Sequence, residues 1–254
     1  MAGHSKWANI KHRKGRQDAK KGKVWSKISK QIMAAARNGG GDPDSNLDLR
    51  YAIDEARQAN MPKDTIRNAI RKGTGDIEGI SFERVVYEGY GPGGVAILVD
   101  ALTDNRNRTA PEIRKIFDRA GCQLGASNCV AYMFEKKGTF IVSSNVTDED
   151  TLMEAVLEAG ADDVTREGDY FEVTCGPGDF GKVKASLKKA GIETVGSEIA
   201  MVPGNMIAVD RNTAGKVLEL LEILDDHDDV QKVYSNLDIP DELTDELTGE
   251  LTGK

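Results

Sequence analysis

The middle of the chain changes hydrophobic period in an order that few folds accommodate. "GTFIVSS" reads as a strand, "DEDTLMEAVLEAG" as a helix with an acidic start, and "DDVTREGDYFEVTC" as a strand pair around Gly168. "DFGKVKASLKKAG" is a second helix and "TVGSEIAMVP" a closing strand. Strand, helix, two strands, helix and strand form the order of a ferredoxin-like split β-α-β unit.

The flanking segments extend that plan. "VVYEGYGPGGVAILVDAL" reads as two strands around a turn at Gly91-Pro92-Gly93-Gly94. "RTAPEIRKIFDRAG" then reads as a helix, with Thr109 the expected N-cap, Glu112 its capping-box partner and Gly121 the C′ residue. Beyond the central unit, "MIAVDRNTAGKVLELLEILDDHDDVQKVYSN" supplies a strand, a helix and a strand that can complete the first sheet. "AGCQLGASNCVAYMFEKKGTFIV" echoes "AGIETVGSEIAMVPGNMIAVD" in its Ala-Gly helix end, strand, glycine turn and new strand. Two related α+β domains, the second inserted in the first, follow from this pattern.

Three helices precede them. In "VWSKISKQIMAAARNGGG", Trp25, Ile28, Ile32 and Ala36 fall on one face, and Lys23, Lys27, Lys30 and Arg37 on the other. "NLDLRYAIDEARQAN" turns Leu49, Ala52, Ile53 and Ala56 inward, and "PKDTIRNAIRKG" runs from Pro62 to a stop at Gly73. Helices this short need partners, so a small bundle is expected. The predicted fold class is α+β multidomain: a helical bundle followed by two ferredoxin-like α+β domains, one inserted in the other. Its expected parts are a basic arm at 1–22, the bundle at 23–76, a discontinuous domain at 80–137 and 205–238, the inserted domain at 138–204, and an acidic tail at 239–254.

Charge divides the chain as sharply as period does. The formal charge is −8, yet residues 1–37 hold eleven basic residues against Asp18 alone, a net +10 that leaves −18 on the rest. Phosphates attract such a segment, because Lys and Arg release condensed counterions when they bind. The candidate nucleic-acid contacts are Lys6, Trp7, Asn9, Lys11, His12, Arg13, Lys14, Arg16, Lys20 and Lys21, continued along the first helix by Lys23, Lys27 and Lys30. Trp7 can stack on a base, and Gly3, Gly15 and Gly22 let the backbone follow a groove. The alternative is a solvated charge run with Trp7 tucked against the bundle. Arg106 and Arg108, before a helix start, are secondary candidates for phosphate, and a polar loop is the equal alternative there. "DDHDD", at 225–229, lacks the spacing of a calcium loop and reads as a solvated helix end.

Other classes find little support. No apolar run reaches the roughly twenty residues that span a membrane, and the first thirty residues lack the apolar core of a secretory signal. A mitochondrial presequence is likewise basic and poor in acids, but this basic region runs directly into a patterned helix with no Ser-rich spacer, so a cytoplasmic protein is expected. Cys122, Cys129 and Cys175 show no C-x-x-C spacing, and His4, His12 and His227 are scattered, so neither a disulfide framework nor a metal site is expected. No serine lies in a nucleophile elbow and the Gly-Pro-Gly turns lack a phosphate-loop continuation. The expectation is a protein without enzymatic activity, cofactor or small-molecule substrate.

Several stretches resemble the YebC family: "MAGHSKWANIKHRK", "KVWSKISKQIMAAAR", "NMPKDTIRNAIRKG", "YEGYGPGGVAILVD" and "LTDNRNRTAPEIR". The likeness runs from Ala2 to about Asp238, and the acidic DELT tail departs from it. It implies three domains and a role in gene expression. Bacterial members carry the label of DNA-binding transcriptional regulators, while others, including a mitochondrial translational activator, act on the ribosome and support translation through runs of proline. By the same resemblance, Lys6, Trp7, Lys11, His12, Arg13 and Lys14 would touch nucleic acid in either role.

Physical argument leans toward RNA. Sequence-specific DNA readers usually place a helix in the major groove, whereas this charge lies on a glycine-interrupted arm. A body of charge −18 is also repelled from a long duplex. The favoured expectation is a ribosome-associated factor whose arm touches ribosomal or transfer RNA. DNA-binding transcriptional control is the first alternative, and an RNA- or nucleotide-processing enzyme the second.

Overall fold

A computed structural model describes residues 21–239, with the Lys21 side chain excluded. Helix α1 (Lys21–Gly39) packs against α2 (Leu47–Gln58) and α3 (Lys63–Thr74). Ile28, Ile32 and Ala36 meet Leu49, Ala52, Ile53, Ala56, Ile66 and Ala69 in an apolar core. Trp25 packs on that core and its Nε1 donates to the Ala59 carbonyl at 2.9 Å. Asn46 caps α2 by accepting from the Leu49 amide at 3.1 Å. Gly73 does not stop α3. A Cβ there would lie 2.5 Å from the Met33 carbonyl oxygen and 2.7 Å from the Ala36 Cβ, so the glycine lets α3 press on α1. The helix ends one residue later, where Gly75 takes φ +85°.

The outer α+β domain begins with the hairpin of β1 (Glu83–Tyr90) and β2 (Ala96–Thr103), paired from Glu83↔Thr103 to Tyr90↔Ala96. Helix α4 (Arg106–Arg119) crosses to β3 (Gln123–Leu124), on the far side of β1. The chain then leaves for the inserted domain. It returns through β8 (Ile207–Ala208), α7 (Arg211–Asp225), β9 (Val230–Ser235) and β10 (Leu237–Asp238). The sheet order is β3-β1-β2-β9, and β2, α4 and β3 form a split β-α-β around β1. Val85, Ile97 and Val99 meet Ile113 and Phe117 of α4 and Val217, Leu220, Leu221 and Leu224 of α7.

The inserted domain holds β4 (Phe134–Ser143), α5 (Glu149–Leu157), β5 (Ala161–Glu167), β6 (Tyr170–Cys175), α6 (Phe180–Lys189) and β7 (Thr194–Pro203). Its order is β5-β6-β4-β7, wholly antiparallel, which is the ferredoxin-like arrangement. Phe140, Val142, Phe171 and Val173 face Leu152 and Val156 of α5 and Val183 and Leu187 of α6. Each such fully buried side chain contributes about 1.5–3 kcal/mol. The outer face of the first sheet, through Ala96, Leu98 and Tyr234, packs on Phe134 and Ala200. The molecule is therefore α+β and multidomain, a helical bundle followed by two sheet-bearing domains with one inserted in the other. Among the described residues no helix is long and apolar enough to cross a membrane.

One expected cap is displaced. Helix α4 starts three residues before Thr109, and Asn105 caps it by accepting from the Arg108 amide at 3.1 Å. Thr109 lies inside the first turns, fully buried, and its hydroxyl faces the Thr103 hydroxyl at 2.7 Å.

Candidate nucleic-acid interface

Of the residues proposed from sequence to touch nucleic acid, Lys6, Trp7, Asn9, Lys11, His12, Arg13, Lys14, Arg16 and Lys20 lie outside the described residues. Lys21 opens α1. The remaining three, Lys23, Lys27 and Lys30, stand at i, i+4 and i+7 and so form one stripe along α1.

That stripe faces the acidic turn between α7 and β9. Lys23 Nζ lies 3.0 Å from Asp226 Oδ1 and 3.5 Å from Asp228 Oδ1. Lys27 Nζ donates to the Asp225 carbonyl oxygen and lies 4.0 Å from its Oδ1. Lys30 Nζ donates to Asp229 Oδ1 at 2.8 Å and to the Asp228 carbonyl at 3.0 Å. A basic helix face and an acidic turn thus meet along three lysines and four aspartates. The expectation of a solvated helix end holds for Asp226 and Asp228, which stay exposed beside Lys23, and is corrected for Asp229, which is drawn inside because cations face it from α1 and α4.

Asp229 is the centre of the contact. It is 3% exposed. Its Oδ2 accepts from Arg108 Nη2 at 2.6 Å and from the Thr109 hydroxyl at 2.7 Å, while Oδ1 takes Lys30. Burial alone would raise its pKa; the hydrogen bonds from Lys30, Arg108 and Thr109 outweigh burial and hold the carboxyl well below the usual range. Its carbonyl accepts from the Leu102 amide at 2.8 Å, and its amide donates to His227 Nδ1 at 3.2 Å. His227 Nε2 in turn sits 3.1 Å from Glu112 Oε2. One carboxylate therefore joins α1, the start of α4 and the entry to β9.

The secondary candidates separate. Arg108 also bonds Asp104 at 2.9 Å, so its guanidinium is shared between two carboxylates. Arg106, at the first position of α4, is exposed. An open cleft of about 770 Å³ lies beside the contact, walled by Lys23, Phe82, Lys115 and Arg119 among others. Lys30 Nζ lies 5.6 Å from the Phe82 ring centroid, so the basic stripe also rests on an aromatic face at the cleft's rim.

Sequence reasoning placed Asp229 in solvent and Thr109 at a helix cap, and so missed their contact with each other. A usable signal was present for the first: Asp229 directly precedes a strand whose first residue, Val230, is fully buried. An acid in that position is drawn inside with its strand and must find cations there.

Two family models match the chain in succession. Residues 5–76 match the family model described as the TACO1/YebC protein N-terminal domain, and residues 82–237 the one for the TACO1/YebC second and third domain. A probable transcriptional regulatory protein of Desulforapulum autotrophicum is 54% identical over 243 residues, 96% of this chain and 98% of that one. Another so named, from Dictyoglomus turgidum, is 55% identical over 96% of this chain and 98% of its own length. The crystal structure of a conserved hypothetical protein from Aquifex aeolicus superposes with a TM-score of 0.79 at 44% identity, covering 88% of this chain and 92% of that one. With both family models matched in succession along a chain that keeps this helical bundle and these two sheet-bearing domains, the protein belongs to the TACO1/YebC family.

Proposed function

We propose that this chain is a non-enzymatic regulator of gene expression that contacts nucleic acid through its basic amino-terminal arm. Its partner is ribosomal or transfer RNA on the ribosome, and the contact aids synthesis of difficult, proline-rich stretches. The observation that carries the reading is how positive charge is divided. Lys23, Lys27 and Lys30 face the acidic turn, whereas residues 1–22 retain seven basic residues against Asp18. The cationic excess of the molecule is thereby concentrated in the arm, which joins α1 at the end where Lys23 stands. An arm of this kind holds a phosphate-rich partner by charge neutralisation and positioning.

A second reading, DNA-binding transcriptional control, is favoured by the names of the bacterial relatives. The arm could serve it, though the −18 remainder opposes extended contact with a duplex.

Crosslinking in cells followed by sequencing of the recovered nucleic acid separates the two. Ribosomal or transfer RNA is expected; promoter DNA in its place would move the assignment to the second reading. Cosedimentation with ribosomes should vanish when residues 1–21 are deleted. Charge reversal at Lys11, Arg13 and Lys14 should weaken binding and flatten its salt dependence, by about 0.7 in log–log slope for each phosphate of a single strand no longer neutralised. Thermal stability should stay nearly unchanged, and a large decrease would mean that the arm is structural.

A further inference from the structure

The contact between α1 and the acidic turn has two unequal halves. At the Asp229 end it is closed: the side chain of Asp229 is 4% exposed and that of Lys30 is 16% exposed. At the Lys23 end it is open, with Lys23 at 34%, Asp226 at 62% and Asp228 at 84%. Two carboxylates there face one ammonium, so that end carries one negative charge in excess. Exposed ion pairs of this kind contribute only about 0–1 kcal/mol and are screened by salt, whereas removing one partner of a buried set is costly.

From this asymmetry we infer that Asp226 and Asp228 are an exchangeable guard on Lys23, an intramolecular stand-in for nucleic-acid phosphate at the first turn of α1. The inference rests on the arm being the nucleic-acid contact. A polynucleotide engaged by the arm arrives next at Lys23, the first lysine beyond it in the chain. There it meets carboxylates that must be displaced before the ammonium can bind phosphate. Displacement leaves the Asp229 joint intact, so the bundle need not leave the outer domain. The guard sets a threshold: a strand that presents closely spaced phosphates to the whole arm passes it, and a weakly held one does not.

The test uses the full chain carrying Asp226→Asn and Asp228→Asn, titrated with fluorescently labelled single-stranded RNA of mixed sequence across a salt series. Freeing Lys23 should let it neutralise one further phosphate. That is about fivefold tighter binding at 0.1 M salt and a log–log salt slope steeper by about 0.7. The gain should disappear when Lys23→Gln is added to the double variant, and the melting temperature should move little. Should the double variant fold poorly, Asp228→Asn alone should give a smaller gain in the same direction. Unchanged affinity in a folded variant, or a gain that survives Lys23→Gln, overturns the guard and leaves the role of the arm standing. A wild-type protein that binds neither this RNA nor duplex DNA overturns both together.

Discussion

Among the described residues, two contacts between the helical bundle and the rest of the molecule work by different physics. Helix α1 meets the outer domain through Asp229 and its ring of donors, Lys30, Arg108 and Thr109. Helix α2 meets the inserted domain through Tyr51, whose ring stands edge-on to Phe180 at 5.4 Å and 84°. Phe180 in turn stacks on Phe140 at 4.7 Å. Beside this pair, Lys184 Nζ of α6 lies 3.3 Å from Asp54 Oδ2 of α2. The first joint is directional, since charge-assisted hydrogen bonds to a buried carboxylate weaken as their angles open, and it ties Lys30 of α1 to one point of the outer domain. The second is an aromatic seat, in which ring burial and edge-to-face contact act without a charged hydrogen bond at its centre. A bundle held by both is oriented at one end and supported at the other.

Breaking the directional joint should have the largest effect. Asp229→Ala leaves Lys30 and Arg108 without their shared acceptor, a cost of about 3–5 kcal/mol for a buried ionic set. Denaturant unfolding measures it, and amide hydrogen exchange should rise along α1 and at the α7–β9 turn. A cost below about 1 kcal/mol, the range of exposed pairs, would show that the ring of donors is solvated in the native state. Tyr51→Ala should cost less, about 2 kcal/mol, because the ring is only half-buried before truncation. Its exchange signature should fall on α2 and α6 and leave the Asp229 amide protected.

The two joints also differ in how far the sequence discloses them. The inserted domain was readable because its period alternates between helix and strand without interruption and because Gly168 marks the hairpin, where φ is +55°. The apolar face of α1 was readable for the same reason. The Asp229 joint was not, since its partners are 199 and 121 residues away and no local pattern links them. Thr109 misled for a physical reason. With Glu112 three residues on, it matches a capping box, but Asn105 supplies the cap and the threonine hydroxyl is drawn inward to Asp229. The basic stripe of α1 was visible as a stripe, while what it faces depends on the fold.

Acid should separate the joints. The carboxyl of Asp229 titrates below its unfolded value, so its stabilisation is complete above the ordinary aspartate range and is lost as pH falls. With an unfolded value near 3.9, about 1 kcal/mol should disappear between about pH 5 and pH 3. The Asp229→Asn variant should lack that component. The Tyr51 seat has the opposite sense: burial raises its hydroxyl, with Arg50 opposing, so its contribution persists in acid and declines only as pH rises past about 10. Acid unfolding followed by exchange should therefore loosen α1 while α2 stays seated, and simultaneous release would mean that the joints are one cooperative contact.

The smallest effect should come from an ion pair that resembles the Asp229 joint in composition alone. Asp54 and Lys184 bridge the bundle and the inserted domain as Lys30 and Asp229 bridge the bundle and the outer one, yet their side chains are 35% and 36% exposed. Water solvates both ions whether or not they meet, and fixing two flexible side chains offsets most of the attraction. Asp54→Asn should therefore change stability by no more than about 0.5 kcal/mol, and that difference should fade in added salt. A double-mutant cycle with Lys184→Met measures the coupling directly. A coupling as large as that between Asp229 and Lys30 would mean that the seat at Tyr51 is as directional as the joint at Asp229, and the distinction between an orienting contact and a supporting one would not hold.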